Sequence, residues 1–366
     1  MLFIHNDVVE RVLTMADCMA AMEHAFGQMP SGRAIHRGRL DMYVPCEQEN
    51  GYYRFGTMEG TNDGILAIRL KSDVMTWPRD AAGNLRENKY CVAPGTYCGL
   101  IMLFSTLNGE PLAIINDGVL QHMRVAGGAG VGLKLLGRKD ASSVGMLGAG
   151  GMARGFLEAF LTVRDIRTVK VFSPTRANRE AFAREMSEKF AIEVTPVDSA
   201  REAVRGVDVL STATDSMTPT FEPDWLEPGM HVAMLGPAEI SAAAKARFDV
   251  AIRQGVGGLK LPESQRVRAR IGHSPAAFIA GTEEEMKRLP PPMEEDGFAG
   301  DEPDYCDLLA GRAKGRTSDE QITFYHNIGN QGLQFSAVGG LVYRKARDAG
   351  LGRELPTEWF TQDIRD

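Results

Sequence analysis

The sequence predicts an α/β protein in which a Rossmann dinucleotide-binding domain accompanies a mixed α+β domain. Three observations predict it. A short apolar strand, Ser143–Leu147, runs into the glycine loop Gly148-Ala149-Gly150-Gly151-Met152-Ala153 and then into an apolar helix at 151–163. Beyond the loop, strand and helix patterns alternate to about residue 252, which implies a parallel sheet with right-handed crossovers. Before it, residues 1–116 combine an early helix with alternating, strand-like runs.

The elements follow in order. Near 16–29, Ala16, Met19, Ala20, Met22 and Phe26 recur three and four apart, the spacing of a helix. In Ile65–Asp73, Leu66, Ile68 and Leu70 share one face, and Ala67, Arg69, Lys71 and Asp73 share the other. Leu100–Phe104 is a second strand; a turn at Asn108-Gly109-Glu110-Pro111 follows, and Leu112–Ile115 continues extended. Residues 117–136 read as one helix that Asp117 can cap, with Leu120, Met123, Gly127, Leu133 and Leu136 near one stripe. Gly127, Gly128, Gly130 and Gly132 each cost about 1 kcal/mol against Ala there. Either a backbone or ligand packs closely on this helix or the helix is weak. After the glycine loop come a strand at 169–173, a helix at 177–190, a strand at 192–195, a short helix at 199–205 and strands at 207–212, 231–235 and 248–252. Residues 256–320 are charged and loop-rich, with Pro290-Pro291-Pro292 and an acidic tract around Glu294–Asp304, and read as a surface excursion. A last helix spans about 330–349.

The 366 residues suit two domains or three. With 41 Lys+Arg against 48 Asp+Glu the net charge is −7, which argues against a nucleic-acid partner. No apolar run nears the roughly 20 residues of a membrane span, and the start MLFIHNDVVERV has no signal-peptide pattern. Five cysteines without paired spacing and seven scattered histidines indicate no metal site. The expectation is a protein of the reducing cytoplasm.

The loop fits G-x-G-x-x-A between a strand and a helix. Its glycines permit a tight turn and close approach of a pyrophosphate to the helix N-terminus, whose free amides favour anions. Gly148, Ala149, Gly150, Gly151, Met152 and Ala153 are therefore the candidate cofactor cradle. NAD sites usually carry an acid at the end of the second strand; here that end reads Ser173-Pro174-Thr175-Arg176. Ser173 and Thr175 can hydrogen-bond a 2′-phosphate and Arg176 can pair with it, or the group can act as an ordinary helix cap. NADP(H) is favoured over NAD(H).

The blocks RLKSD around Lys71, LNGEPLAIINDGVLQHMRVAGGAG (107–130), GAGGMA, AVRGVDVLSTATDSMTP (203–219), PGMHVAMLG (228–236) and ITFYHNIGN (322–330) resemble the ornithine cyclodeaminase/mu-crystallin family of nicotinamide-dependent enzymes. The resemblance implies a homodimer whose Rossmann domain, 126–319 with the excursion at about 256–319, is inserted in a substrate-binding and dimerisation domain of residues 1–125 and 320–366. It implies Lys71 as the active-site lysine and Arg124 as the carboxylate-binding arginine. Arg37 takes the place of a second such arginine, with Arg39 competing for it. Thr96, Thr212 and Asn327 match positions lining the cofactor. These types suit the chemistry, since Arg binds a carboxylate bidentately and a partly desolvated Lys can donate a proton.

One departure bears on function. Where cyclodeaminases carry an Asp after the strand HVAMLG, this chain has Ala238, with Glu239 one residue late; Gly56 stands where they carry a substrate-binding Glu, with Glu59 three residues on. The expected activity is therefore NAD(P)H-dependent reduction of a small 2-imino acid, as a ketimine reductase or amino-acid dehydrogenase. The alternatives are a cyclodeaminase in which Glu239 or Glu59 substitutes for the missing acids, and a non-enzymatic NADP-binding protein of the crystallin type. His122, two residues before Arg124, either faces the cleft or packs. His231 reads as structural, and Asp215 and Ser216 sit at the carboxyl edge of the sheet, where ligands bind.

Overall fold

The computed structural model describes residues 1–48, 50–79, 83, 85–259, 261–262, 264, 266–272, 274–291 and 302–364. The chain begins with β1 (Leu2–Ile4), α1 (Asn6–Val12), α2 (Met15–Gln28), β2 (Ile35–Pro45), β3 (Gly51–Asn62), β4 (Ile65–Thr76), β5 (Asn88–Cys91), β6 (Ala93–Pro94), β7 (Cys98–Ser105), β8 (Pro111–Asn116) and α3 (Gly118–Leu136). It continues through β9 (Ser143–Leu147), α4 (Gly151–Val163), β10 (Thr168–Phe172), α5 (Arg176–Phe190), β11 (Glu193–Pro196), α6 (Ala200–Val204), β12 (Val209–Thr212), β13 (His231–Met234), α7 (Ala242–Lys245) and β14 (Val250–Arg253). It closes with β15 (Val267–Ile271), β16 (Ser274–Ile279), α8 (Glu283–Met286), α9 (Tyr305–Leu309), β17 (Thr323–His326), α10 (Gln331–Asp348) and β18 (Arg353–Glu354).

Among the described residues these strands form two sheets. One is parallel throughout, in the order β11-β10-β9-β12-β13-β17-β14. The other is mixed and runs β15-β16-β2-β3-β4-β7-β8-β1-β18, with β5 and β6 attached beside β4. The α/β class and the Rossmann-type parallel sheet hold. Among the described residues no helix is long and apolar enough to cross a membrane.

Three strands fall outside the expected domain boundaries. β17, placed by sequence in the substrate domain, pairs with β13 and β14 in the parallel sheet. The stretch read as a surface excursion contributes β15 and β16 to the mixed sheet, with Ala277, Phe278 and Ile279 pairing in parallel with Asp41, Met42 and Tyr43. Alternation in Val267-Arg268-Ala269-Arg270-Ile271 is a strand signal masked by the surrounding charge. Pro292 and the acidic tract up to residue 301 lie outside the described residues.

Two helices seat the site. The glycines of α3 do mark close packing: a Cβ on Gly132 would meet the Tyr325 ring of β17 at 2.5 Å, and one on Gly127 would meet Met22 of α2 at 2.7 Å. Asp117 makes no side-chain cap to α3; its carboxylate is committed to Arg69 of β4, 2.6 Å away. α10 lies on the inner face of the mixed sheet, where Gly332 touches the backbone of Glu59. Asn62 N donates to Ser336 Oγ at 3.1 Å, and Ser336 Oγ donates to Ile65 O at 2.9 Å. Apolar residues Ile65, Ala67, Ile101 and Leu103 are buried beneath it. Further along β3 and β4 the same face turns polar, and there the helix gives way to a cavity.

Candidate active site

A cavity of about 830 Å³ lies between the polar end of the mixed sheet and the glycine loop. Lys71 on β4 stands directly across from Gly56 on β3, so nothing on the neighbouring strand shields it. Its Nζ is 3.2 Å from Asp73 Oδ2 and 4.9 Å from the centre of the Tyr97 ring. Arg54 of β3, opposite Asp73 in register, grips that carboxylate through Nε at 2.8 Å and a terminal nitrogen at 2.6 Å. Burial, then Arg54 and Lys89, push the pKa of Lys71 well below its ordinary value, with Asp73 only partly opposing them. The side chain therefore holds its proton more weakly than an ordinary lysine, which suits a group that gives and takes one.

Arg124, one turn and a half into α3, is buried over the ring of Phe335, 4.7 Å from its centre. Its hydrogen bonds go to neutral amides: Gln121 Oε1 at 2.8 and 3.2 Å and Gln334 Oε1 at 2.9 Å. Among the described residues it has no carboxylate partner. Burial and the like charge of Arg69 lower its pKa, so an incoming carboxylate would meet a fixed, undercompensated guanidinium. That is the chemistry of an anion-binding residue.

The opposite wall suits a dinucleotide. Gly148 has φ +108°, and a Cβ there would run into the carbonyl oxygen of Ala213. Around Gly150 nothing lies within 4 Å of where a Cβ would stand, which leaves open space over the N-terminus of α4 for a pyrophosphate. Gly148, Ala149, Gly150, Gly151 and Met152 all line the cavity, as do Ser173 and Asn178 at one end and Thr214, Asp215 and Asn327 at the other. His122 also faces in; its Nδ1 lies 2.6 Å from Gly118 O. Asp215, mostly exposed, is 3.4 Å from Arg86.

Other expected residues are not brought to this cavity. Arg37 is more than half exposed and pairs with Glu59, its Nε donating to Oε2 at 2.9 Å. A bulge explains it: Arg37 faces Glu59 and Leu40 faces Thr57, so Gly38 and Arg39 together face Met58. The extra residue turns Arg39 onto the cavity, backed by Asp41 at 2.7 Å. Thr96 spends its hydroxyl on the carbonyls of Cys91 and Ala93, and Tyr97 lines the cavity instead. Thr212 is fully buried and turned to Glu239, and Ala153 is buried in the core. Thr175 caps α5 by position, and Arg176 is exposed and paired with Glu180 at 2.6 Å, outside the cavity rim.

Neither candidate replacement acid reaches substrate space. Glu239 is fully buried and accepts from Thr212 Oγ1, Thr214 N, Thr214 Oγ1, Leu235 N and Gly236 N, tying the ends of β12 and β13 together. Glu59 is occupied by Arg37. His231 is structural, its Nδ1 3.0 Å from Thr323 Oγ1. Sequence reasoning missed Arg54 and Arg69 as cavity residues. Alternation from Lys71 was enough to find Arg69, but Arg54 required the β3–β4 register.

The profile of the ornithine cyclodeaminase/mu-crystallin family matches residues 1–349. The chain belongs to this family. Among its relatives is a Delta(1)-pyrroline-2-carboxylate reductase of Bacillus cereus, 26% identical over 357 residues, which is 97% of this chain and 99% of the relative. The fold is shared with the Thermococcus litoralis Delta(1)-pyrroline-2-carboxylate reductase in complex with NADH and L-proline, at TM-score 0.74 and 24% identity over 97% of this chain and 100% of that one. It is shared equally with an archaeal alanine dehydrogenase dimer with bound NAD, at TM-score 0.71 and 23% identity over 97% and 99%.

Proposed function

We propose that this family member is an NAD(P)H-dependent oxidoreductase acting on the C=N bond of a small 2-imino acid, or in reverse on the CH–NH bond of the amino acid. The observation that carries the reading is the meeting of Lys71 and Arg124 with the glycine loop in one cavity. The relatives named above support the same reaction class. When bound, the nicotinamide supplies the hydride: a 2-imino acid, NAD(P)H and a proton become a 2-amino acid and NAD(P)+. Gly148–Met152 would hold the pyrophosphate, and Ser173 and Asn178 the adenosine ribose.

The chain's own residues do the rest. Arg124 takes the substrate carboxylate on the guanidinium hydrogens that Gln121 and Gln334 leave over, which fixes Cα and its nitrogen. Lys71, pressed by neighbouring cations, hands its proton to the substrate nitrogen in reduction and recovers one in oxidation. Arg54 and Asp73 hold the Lys71 ammonium in place. The walls of Tyr97 and Met58 limit water around the reacting carbon. A cyclodeaminase would need an acid on the substrate amine, and Glu239 and Glu59 are engaged elsewhere.

Two finer readings belong with this one. NADP(H) is the preferred cofactor, because no acid stands at the end of β10 and Arg176 lies free to swing from a surface pair worth at most about 1 kcal/mol. Arg176→Ala should weaken NADPH binding roughly tenfold and NADH binding little, read by fluorescence titration; equal losses would remove the preference from Arg176. The protein is also a homodimer through the outer face of its mixed sheet. The reaction itself is tested by following NADPH and NADH oxidation with 2-oxo acids plus ammonia and with cyclic imines such as pyrroline-2-carboxylate. Turnover is expected, and its absence across the whole panel would sink the reading.

A further inference from the structure

Among the described residues, charge in the substrate half of the cavity does not balance. Six basic side chains line it: Arg39, Arg54, Arg69, Lys71, Lys89 and Arg124. Among the described residues four carboxylates answer them. Asp41 pairs with Arg39, Asp73 with Arg54, Asp117 with Arg69, and Glu87 lies 3.8 Å from Lys89. The other charged groups of the cavity, Arg253 and Asp215, belong to the opposite wall and have partners of their own in Glu302 and Arg86. The α-carboxylate of an imino acid at Arg124 takes up one surplus positive charge. A second is left over in the cluster of Arg54, Lys71 and Lys89, which among the described residues shares Asp73 and Glu87.

Its place is set by the sheet. Lys89 on β5 stands across from Met75 on β4, so its side chain shares the face that carries Lys71 and Asp73. Arg39, Arg54 and Arg69 are locked, each holding its carboxylate through Nε and a terminal nitrogen. Lys89 is about one-third exposed and sits at long range from Glu87, so it has both the reach and the freedom to meet a ligand. An apolar substrate side chain would strip water from this end of the pocket and leave the charge uncompensated, which is costly.

Building on the reductase reading, we propose that the preferred substrate is a 2-imino acid with a second acidic group, its α-carboxylate at Arg124 and its side-chain acid at Lys89. The chemistry gains from it. The cations that lower the proton affinity of Lys71 include Lys89, and an acid bound beside them restores that proton at the moment reduction needs it.

The test compares chain-matched 2-oxo acids with ammonia and NADPH: oxaloacetate against 2-oxobutyrate, and 2-oxoglutarate against 2-oxovalerate, with pyrroline-2-carboxylate alongside. At least one dicarboxylate should exceed its monocarboxylate partner by roughly tenfold or more in kcat/KM, the discrimination expected when a site's charge is left unpaired by the poorer substrate. In Lys89→Met that ratio should collapse to about threefold or less. Monocarboxylates or the cyclic imine turned over as well as the dicarboxylates would overturn the proposal and leave the reductase reading standing. A dicarboxylate preference that survives Lys89→Met overturns the placement of the second acid. No turnover on any imine removes the reductase reading and this proposal with it.

Discussion

In the proposed mechanism Lys71 concentrates the chemistry into one proton. Because burial and neighbouring cations depress its pKa below lysine's ordinary 10.5, the protonated form disappears at lower pH than for a free lysine. Reduction uses that form, so kcat/KM for reduction should fall as pH rises through the depressed value, while oxidation rises over the same range. Lys71→Ala should lose roughly 10²–10⁴ in kcat and lose this pH limb, with cofactor affinity retained by equilibrium titration; an intact pH profile would exclude Lys71 from proton transfer. The bulge in β2 supplies a second test. Arg39→Ala, which takes from Asp41 its ion-pair partner at the cavity wall, should raise KM for the imino acid about tenfold or more, whereas Arg37→Ala, on the far side of the strand, should not. At this scale the sequence was legible where a residue's neighbours along the chain define its role. Gly148–Met152 and Arg124, singled out from such local pattern, line the cavity, while Ala153 of the same loop turns into the core. Arg37 and Thr212 do not line it, because a bulge and a buried carboxylate, both set by partners distant in sequence, decide where they face.

The central strands of the parallel sheet were visible for a physical reason: β9, β12 and β13 are buried on both faces, so each reads as a short apolar run between helical patterns. β2 and β3 were hidden. On β3 the inner face carries Arg54, Gly56 and Met58, and the outer face carries Tyr53, Phe55 and Thr57, so no clean alternation of polar and apolar survives. Close backbone approach is the other feature that single elements do not reveal. Gly332 meets the Glu59 backbone, which cannot swing aside, whereas the space around Gly150 is open. Gly332→Ala should therefore destabilise the protein towards the upper end of the 1–3 kcal/mol typical of overpacking, roughly 3 kcal/mol, and lower the melting temperature. Gly150→Ala should leave the melting temperature of the cofactor-free protein nearly unchanged yet weaken dinucleotide binding. Differential scanning fluorimetry with and without NADPH separates the two, and a similar loss of stability in both would refute this distinction between packing and cradle.

At the scale of the whole molecule the mixed sheet poses a problem that one chain does not solve. Its inner face is covered by α10 and the cavity, but along β4, β7 and β8 the outward residues are also apolar: Leu66, Ile68, Leu70, Leu100, Met102 and Ile114, all partly exposed. At the adjoining edge Met42, Val44 and Phe278 are more than 40% exposed. A sheet with one solvated face normally alternates apolar and polar, and contiguous apolar surface of this kind marks an interface. A second copy is the economical cover, since a two-fold axis lets the same patch meet itself. Light scattering after gel filtration should give twice the chain mass. Met102→Asp, which places a charge on the central strand of that face opposite Ile68 and Ile114, should reduce the mass to that of one chain or precipitate the protein. A single-chain mass for the unaltered protein at micromolar concentration, or an unaltered dimer in Met102→Asp, would show that this face is covered by something else. The proposed dimer has a mechanical consequence: the strand that carries Lys71 also carries Leu66, Ile68 and Leu70 on its reverse, so pairing two sheets back to back would stiffen the strand from which Lys71 is proposed to transfer its proton.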